Sequence, residues 1–287
     1  MIAVENGQQE IVNYLIENGA DINVLNENEW GVLDVAAYNN HLEIFKEFIE
    51  KINEEKLTDE SEDKLLHISI EGGSVDLLKY LLKGKEIEKE GMQELFLYAL
   101  TSSQLPSVKY LISKGADTNK PLTWLGEAQT TPLMVASSKG DIDTVKYLLE
   151  READINSADS AGFTALMYAT RDDNIEVVRS LVDGGANLDI KTESGDSILS
   201  RVVAGDDPLV FQYLLEAGAD ANSTNSSGNS VLYSTSWSGK LDYATSLVKH
   251  GATINATDVS IAAANGYVDI VSFFIGVVPK TILVKMI

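Results

Sequence analysis

The chain has 287 residues and a formal net charge of −22, from 44 acids against 22 bases. A surface this acidic repels phosphates, so it does not suit a nucleic-acid partner, which needs a basic stripe. Hydrophobic residues make up 44% and the mean hydropathy is −0.04, too apolar for a disordered chain. There are no cysteines, which removes disulfides and thiolate metal sites and fits a reducing, cytoplasmic setting.

In chain order, the start at Met1 to Gly19 lacks the basic and apolar segments of a secretory signal. The first of a series of echoes follows, Gly19-Ala20-Asp21-Ile22-Asn23. It returns as Gly115-Ala116-Asp117-Thr118-Asn119, Glu152-Ala153-Asp154-Ile155-Asn156, Gly185-Ala186-Asn187-Leu188-Asp189, Gly218-Ala219-Asp220-Ala221-Asn222 and Gly251-Ala252-Thr253-Ile254-Asn255. The last four copies begin 33 residues apart, a period that signals a solenoid of stacked helical units. Seven acids crowd Glu50 to Asp63 against Lys51 and Lys56, and the segment Asp59-Glu60-Ser61-Glu62-Asp63 reads as an acidic loop tip. The terminal run from Phe273 to Ile287 is apolar, but it is shorter than the roughly 20 residues a membrane helix needs and carries Pro279, Lys280 and Lys285. It reads as a terminal cap or a stub of a longer chain.

One period, Ser157 to Asp189, shows the logic. Asp159-Ser-Ala-Gly162 is a turn signal, and Thr164 supplies a capping oxygen for a first helix carrying Leu166, Ala169 and Thr170. After a break at Asp173-Asn174, a second helix places Ile175, Val177, Val178, Leu181 and Val182 on one side of Glu176, Arg179 and Ser180. Gly184-Gly185 ends it. Neither helix can bury its face alone, whereas stacked copies can.

Thr131-Pro132-Leu133-Met134-Val135-Ala136 opens a first helix, Thr164-Ala165-Leu166-Met167-Tyr168-Ala169 follows it closely, and Leu65-Leu66-His67-Ile68-Ser69 keeps a histidine. Asn40-His41-Leu42-Glu43-Ile44 enters a second helix. With the closing echoes, this pattern resembles the ankyrin repeat across essentially the whole chain. The resemblance implies an all-α solenoid of helix-turn-helix units with projecting β-turn or hairpin tips. We assign a single domain over 1–287 with units near 1–24, 25–57, 58–88, 89–119, 120–156, 157–189, 190–222, 223–256 and 257–287, the first and last partial. Unit five is lengthened by Lys120-Pro-Leu-Thr-Trp-Leu-Gly126, units three and four have lost much of the motif, and the last unit has lost its projecting turn.

In such stacks the tips and first helices line a concave groove that receives protein partners. The repeat frame places Trp30, Gln93, Thr130, Phe163, Asp196 and Asn229 at tips. It places Tyr38, Glu71, Thr101, Ser138, Arg171, Ala204 and Trp237 at the groove-facing ends of first helices. Aromatics and arginine carry most interface energy, so the expected contacts are Trp30 with Tyr38, Phe163 with Arg171, and Trp237. Trp124, with Leu122 and Leu125 in the unit-five insertion, is a further candidate, since stacking does not require that loop.

Catalysis is not expected. His41, His67 and His250 fall where the resembled pattern often carries histidine, and neither a Gly-x-Ser-x-Gly elbow nor a Walker-type phosphate loop occurs. Asp172-Asp173 and Asp206-Asp207 sit at helix breaks as turn formers rather than as calcium ligands. No cofactor or metal is implied. The leading expectation is a protein-protein interaction module or scaffold with an unidentified protein partner. The alternatives are an acidic mimic masking a basic site on a target, and a structural spacer self-associating through its ends.

Overall fold

In a computed structural model, described over residues 1–52, 58–124, 126–171 and 174–277, the chain forms 18 helices and one two-stranded hairpin. Its contacts divide it into two compact units, Met1–Thr118 and a second beginning at Asn119.

The first unit contains α1 (Ile2–Glu5), α2 (Gln9–Glu17), α3 (Val32–Tyr38), α4 (Leu42–Ile52), α5 (Asp59–Glu71), α6 (Val75–Leu81), α7 (Lys89–Thr101) and α8 (Leu105–Ser113). Consecutive helices pair as hairpins. The first helices α1, α3, α5 and α7 stack in a row, and α2 packs on α4 as α6 does on α8. The core between the layers includes Val35, Phe45, Phe48, Leu65 and Leu77, all buried.

The second unit opens with β1 (Leu122–Trp124) and β2 (Glu127–Thr130), then α9 (Pro132–Ser138), α10 (Ile142–Glu150), α11 (Ala165–Ala169) and α12 (Ile175–Asp183). It continues with α13 (Ile198–Gly205), α14 (Pro208–Glu216), α15 (Val231–Ser238), α16 (Leu241–Lys249), α17 (Ala256–Ala264) and α18 (Val268–Val277). The second helices α10, α12, α14, α16 and α18 stack in order. In α12, Val177, Val178 and Leu181 are buried while Glu176 and Arg179 stay outside, as the apolar spacing requires.

The closing Gly-Ala-Asp-x-Asn echo acts as a clasp. Its Asp or Asn side chain accepts the amide two residues on, at 2.9–3.0 Å, in Asp21, Asp154, Asn187 and Asp220. Its final Asn reaches the next copy. Asn119 Oδ1 accepts from Asp154 N, Asn156 Oδ1 from Asn187 N, and Asn222 Oδ1 from Thr253 N, each at 2.8 Å. The donor is a backbone amide, so the identity of the third residue in the echo does not matter, and Thr253 serves as well as Asp154.

Turn tips recur with the same chemistry. Asn26 Oδ1 accepts from Asn28 N and Trp30 N, Asp159 Oδ1 from Ala161 N and Phe163 N, and Asn225 Oδ1 from Ser227 N and Asn229 N. Thr192 Oγ1 substitutes in the fourth tip, accepting from Asp196 N at 3.0 Å. Short β-bridges close two of the tips, Ala158 with Thr164 and Thr224 with Ser230. First helices then start on side-chain caps, Thr131, Thr164, Ser197 and Ser230, each accepting an amide three residues on.

The structure departs from the expected tip positions in units three and four. The segment Asp59 to Asp63 is the first part of α5, capped by Thr58 Oγ1 from Ser61 N, and not a loop tip. Acids concentrated there meet the positive end of the helix dipole. Gln93 is likewise no tip. It lies buried inside α7, where its side chain accepts from Asp117 N at 2.8 Å and donates to Asp117 O at 3.3 Å. Thr130 ends β2 and is fully buried, paired in register with Leu122. The last unit does lack a turn: Asn255 caps α17 directly.

Candidate partner-binding site

In the first unit the Asn26 turn holds the Trp30 backbone, and α3 ends about two turns later at Tyr38. The two rings meet with centroids 5.1 Å apart, tilted by 52°. Both are half-buried and line a cleft of about 750 Å³ with Ile2, Glu5 and Glu71. The expected pair is therefore assembled, with part of each ring packed on the other.

The second unit assembles a larger group. Phe163 stands at the end of the Asp159 turn, and Tyr168 lies buried in α11 with its hydroxyl donating to Asp159 Oδ2 at 2.7 Å. Their ring centroids are 5.8 Å apart. Trp124, at the end of β1, brings its ring to 6.0 Å from Tyr168. The Arg171 guanidinium lies 5.1 Å from the Phe163 centroid and 5.0 Å from that of Tyr168. Arg201, from α13 of the following repeat, comes closer still, at 4.2 Å from the Phe163 centroid. Trp124, Phe163 and Arg171 thus share one cluster, as a hairpin, a turn tip and a helix end.

Arg201 is the strained member. Burial pulls its pKa down, and repulsion from Arg171 adds to that, while Asp196 opposes it. Its Nε is buried without a hydrogen-bond partner among the described residues. Asp196 is itself occupied, accepting from Ser226 N at 2.7 Å and from Ser194 Oγ at 3.2 Å.

Trp237 stands apart. It projects from the end of α15 with 58% of its surface exposed. Its carbonyl accepts from the Asn265 side chain at 3.2 Å. No ring contact engages it among the described residues, so this exposure leaves a large apolar face open to solvent.

Tyr168 and Arg201 were not among the sequence-derived candidates. They are 33 residues apart, hence equivalent positions of consecutive repeats, and each precedes a groove-end position (Arg171, Ala204) by three. Residues three apart share a helix face, so extending the frame one turn back would have found both.

The acidic and histidine side chains have local structural roles. His41 Nε2 contacts Glu5 O at 2.9 Å, His67 Nδ1 contacts Asp63 O and His250 Nδ1 contacts Ser246 O, both at 2.8 Å. Asp206 pairs with Lys240 at 2.8 Å, and Asp207 caps α14 through Leu209 N and Val210 N. Asp172, Asp173, Leu125 and 278–287 lie outside the described residues. Among the described residues no group of three or more His, Cys, Asp or Glu could hold a metal ion, and no helix is long and apolar enough to cross a membrane.

The ankyrin-repeat model matches in three overlapping copies, over residues 1–91, 33–122 and 95–192. The chain belongs to the ankyrin-repeat family. Ankyrin repeats are generally protein-protein interaction modules and are typically non-enzymatic. One similar protein is alpha-latrocrustotoxin-Lt1a of Latrodectus tredecimguttatus, 28% identical over 195 residues. The match covers 52% of this chain and 13% of the relative.

Proposed function

We propose that this ankyrin chain is a non-catalytic binding module that holds a protein partner on its turn tips and the ends of its first helices. That 1–287 works as one domain, in a cytoplasmic setting and without cofactor, is part of the same proposal. The observation that carries it is the cluster of Trp124, Phe163, Tyr168, Arg171 and Arg201, drawn from a hairpin and two successive repeats. Aromatic and arginine side chains gathered at one place are what protein interfaces select, and a half-buried arginine beside a second arginine does not serve stability. Trp30 with Tyr38 and the open Trp237 are further contact points. An acidic mimic is disfavoured, because this cluster is basic and aromatic.

The test is affinity capture by the folded chain beside a Trp30→Ala/Phe163→Ala/Trp237→Ala variant of equal helicity. Capture of a protein by the first and loss of it by the second is expected. Equal capture by both would move the contact elsewhere.

A second reading has its own observation. Ile2, Ile11, Tyr14 and Leu15 of α1 and α2 are exposed, at 77%, 50%, 66% and 44%, an apolar face suited to self-association. Mass measured against concentration separates the two, since a module held only by its partner stays at 31.2 kDa.

A further inference from the structure

The chain contains four arginines, Arg151, Arg171, Arg179 and Arg201. Each lies over an aromatic ring. Arg151 is 5.0 Å from the Tyr147 centroid and Arg179 is 5.1 Å from that of Tyr213. Two arginines share the Phe163 ring, at 5.1 and 4.2 Å. In a chain of net charge −22, two of the four guanidinium groups converge on one ring.

Asp159 and Asp196 offset part of this charge, and Asp196 acts on Arg201 through space, but neither carboxylate forms an ion pair with a guanidinium. Asp159 directs Oδ1 to two backbone amides and Oδ2 to the Tyr168 hydroxyl. Asp196 directs its oxygens to Ser226 N and Ser194 Oγ. Among the described residues no ion pair or side-chain hydrogen bond engages either guanidinium, and Arg201 Nε is buried without a partner. A guanidinium presents five donors in a planar fork that matches a carboxylate. Beside the pair, half-buried Trp124 packs on Tyr168 and offers the rest of its ring as an apolar wall.

Resting on the binding-module reading above, we infer that Arg171 and Arg201 receive an Asp or Glu side chain of the partner protein, with an apolar neighbour of that residue lying on Trp124. A single carboxylate is the anion that the surrounding negative field penalises least. Its arrival supplies the charge that the two arginines withhold from each other.

The experiment uses the full chain, immobilised at physiological salt, and a position-scanning library of acetylated and amidated heptapeptides. One position is fixed in turn as Glu, Asp, Gln, Lys or phosphoserine. The expected result is enrichment of Glu or Asp over Gln by about tenfold, the scale of one charge-assisted pair. That enrichment is lost in Arg201→Gln and in Arg171→Gln and kept in Arg179→Gln, which changes net charge equally. Because Arg171 is exposed, its variant remains informative even where Arg201→Gln loses helicity. Capture without acidic preference, preference for phosphoserine over Glu, or preference surviving both substitutions would each overturn the inference while leaving the binding-module reading in place. Capture of no peptide overturns the inference too. The reading itself falls only when the partner capture of the preceding subsection also fails.

Discussion

The Arg201 guanidinium sits 4.2 Å from the centre of the Phe163 ring, although the two residues belong to consecutive repeats. The contact ties a turn tip to the helix of the next unit. It also confines a charge that burial and Arg171 both oppose. Replacing Arg201 by Met keeps the packing and removes the charge. Stability of Arg201→Met in urea should be unchanged or higher by up to about 1 kcal/mol, whereas Phe163→Ala should lose about 1–3 kcal/mol. A loss above 1 kcal/mol in Arg201→Met would show that the arginine is there for stability.

Gly162, Gly195 and Gly228 are equivalent tip glycines with φ of 81°, 95° and 78°, where a side chain costs about 1–2 kcal/mol from conformation alone. Their surroundings differ. A Cβ on Gly162 would lie 2.5 Å from Glu193 N, since the next tip docks there through Glu193 N donating to Ala161 O, while Gly228 has open space. Gly162→Ala should therefore lower the unfolding midpoint clearly more than Gly228→Ala. Equal losses measured by circular dichroism would mean the tips do not pack as described.

Trp237→Ala should leave stability within about 0.5 kcal/mol, because an exposed side chain outside a packed cluster contributes little. Its indole is open to solvent, so its fluorescence should be quenched readily by iodide or acrylamide. Comparing the native chain with Trp237→Ala isolates that signal from Trp30 and Trp124. Strong protection of the lost component would place Trp237 in a contact within the protein or between copies.

Asp258 supplies the pH prediction. Burial raises its pKa, outweighing the hydrogen bond from the Asn255 amide and the nearby Ser230 hydroxyl, which lower it. A carboxyl whose folded pKa lies above its unfolded value favours folding most when protonated. Its contribution is complete below the unfolded carboxylate value of about 4 and fades as pH rises through the folded pKa. Asp258→Asn removes this dependence and keeps an oxygen for the Asn255 amide. The difference in stability between the variant and the native chain should move in the variant's favour on going from pH 4 to pH 7. A difference that runs the other way refutes the assignment.

Much of the fold could be read from residues because the tips and clasps are made by side chains. Asn26, Asp159, Thr192 and Asn225 each build a turn through their own oxygen, and Asn119, Asn156 and Asn222 each reach the next copy. Units three and four each hold a paired helix hairpin, but their tips fall elsewhere than expected, for the complementary reason. Thr58 starts a 13-residue helix where a tip was expected, and Gln93 reaches Asp117 from inside a helix. No turn-forming residue type marks either event. In the candidate site, tip and helix-end residues followed from the frame. Tyr168 and Arg201 did not, since their importance arises from what the neighbouring repeat presents to them.

The clasp has a consequence for how such a chain changes length. Because Asn156 grips a main-chain amide and not a particular side chain, excising 33 residues, 157–189, would bring the amide of Asp220 to the same oxygen with no new chemistry. The joint is interchangeable, like the coupling between railway carriages. A cut that ends inside a helix or a clasp would leave Asn156 without that amide. The spacing itself is not rigid, since Asn119 reaches Asp154 across 35 residues where Asn156 reaches Asn187 across 31. Copy number in this architecture is therefore free to drift in whole periods, while the reach of its binding surface lengthens or shortens in steps.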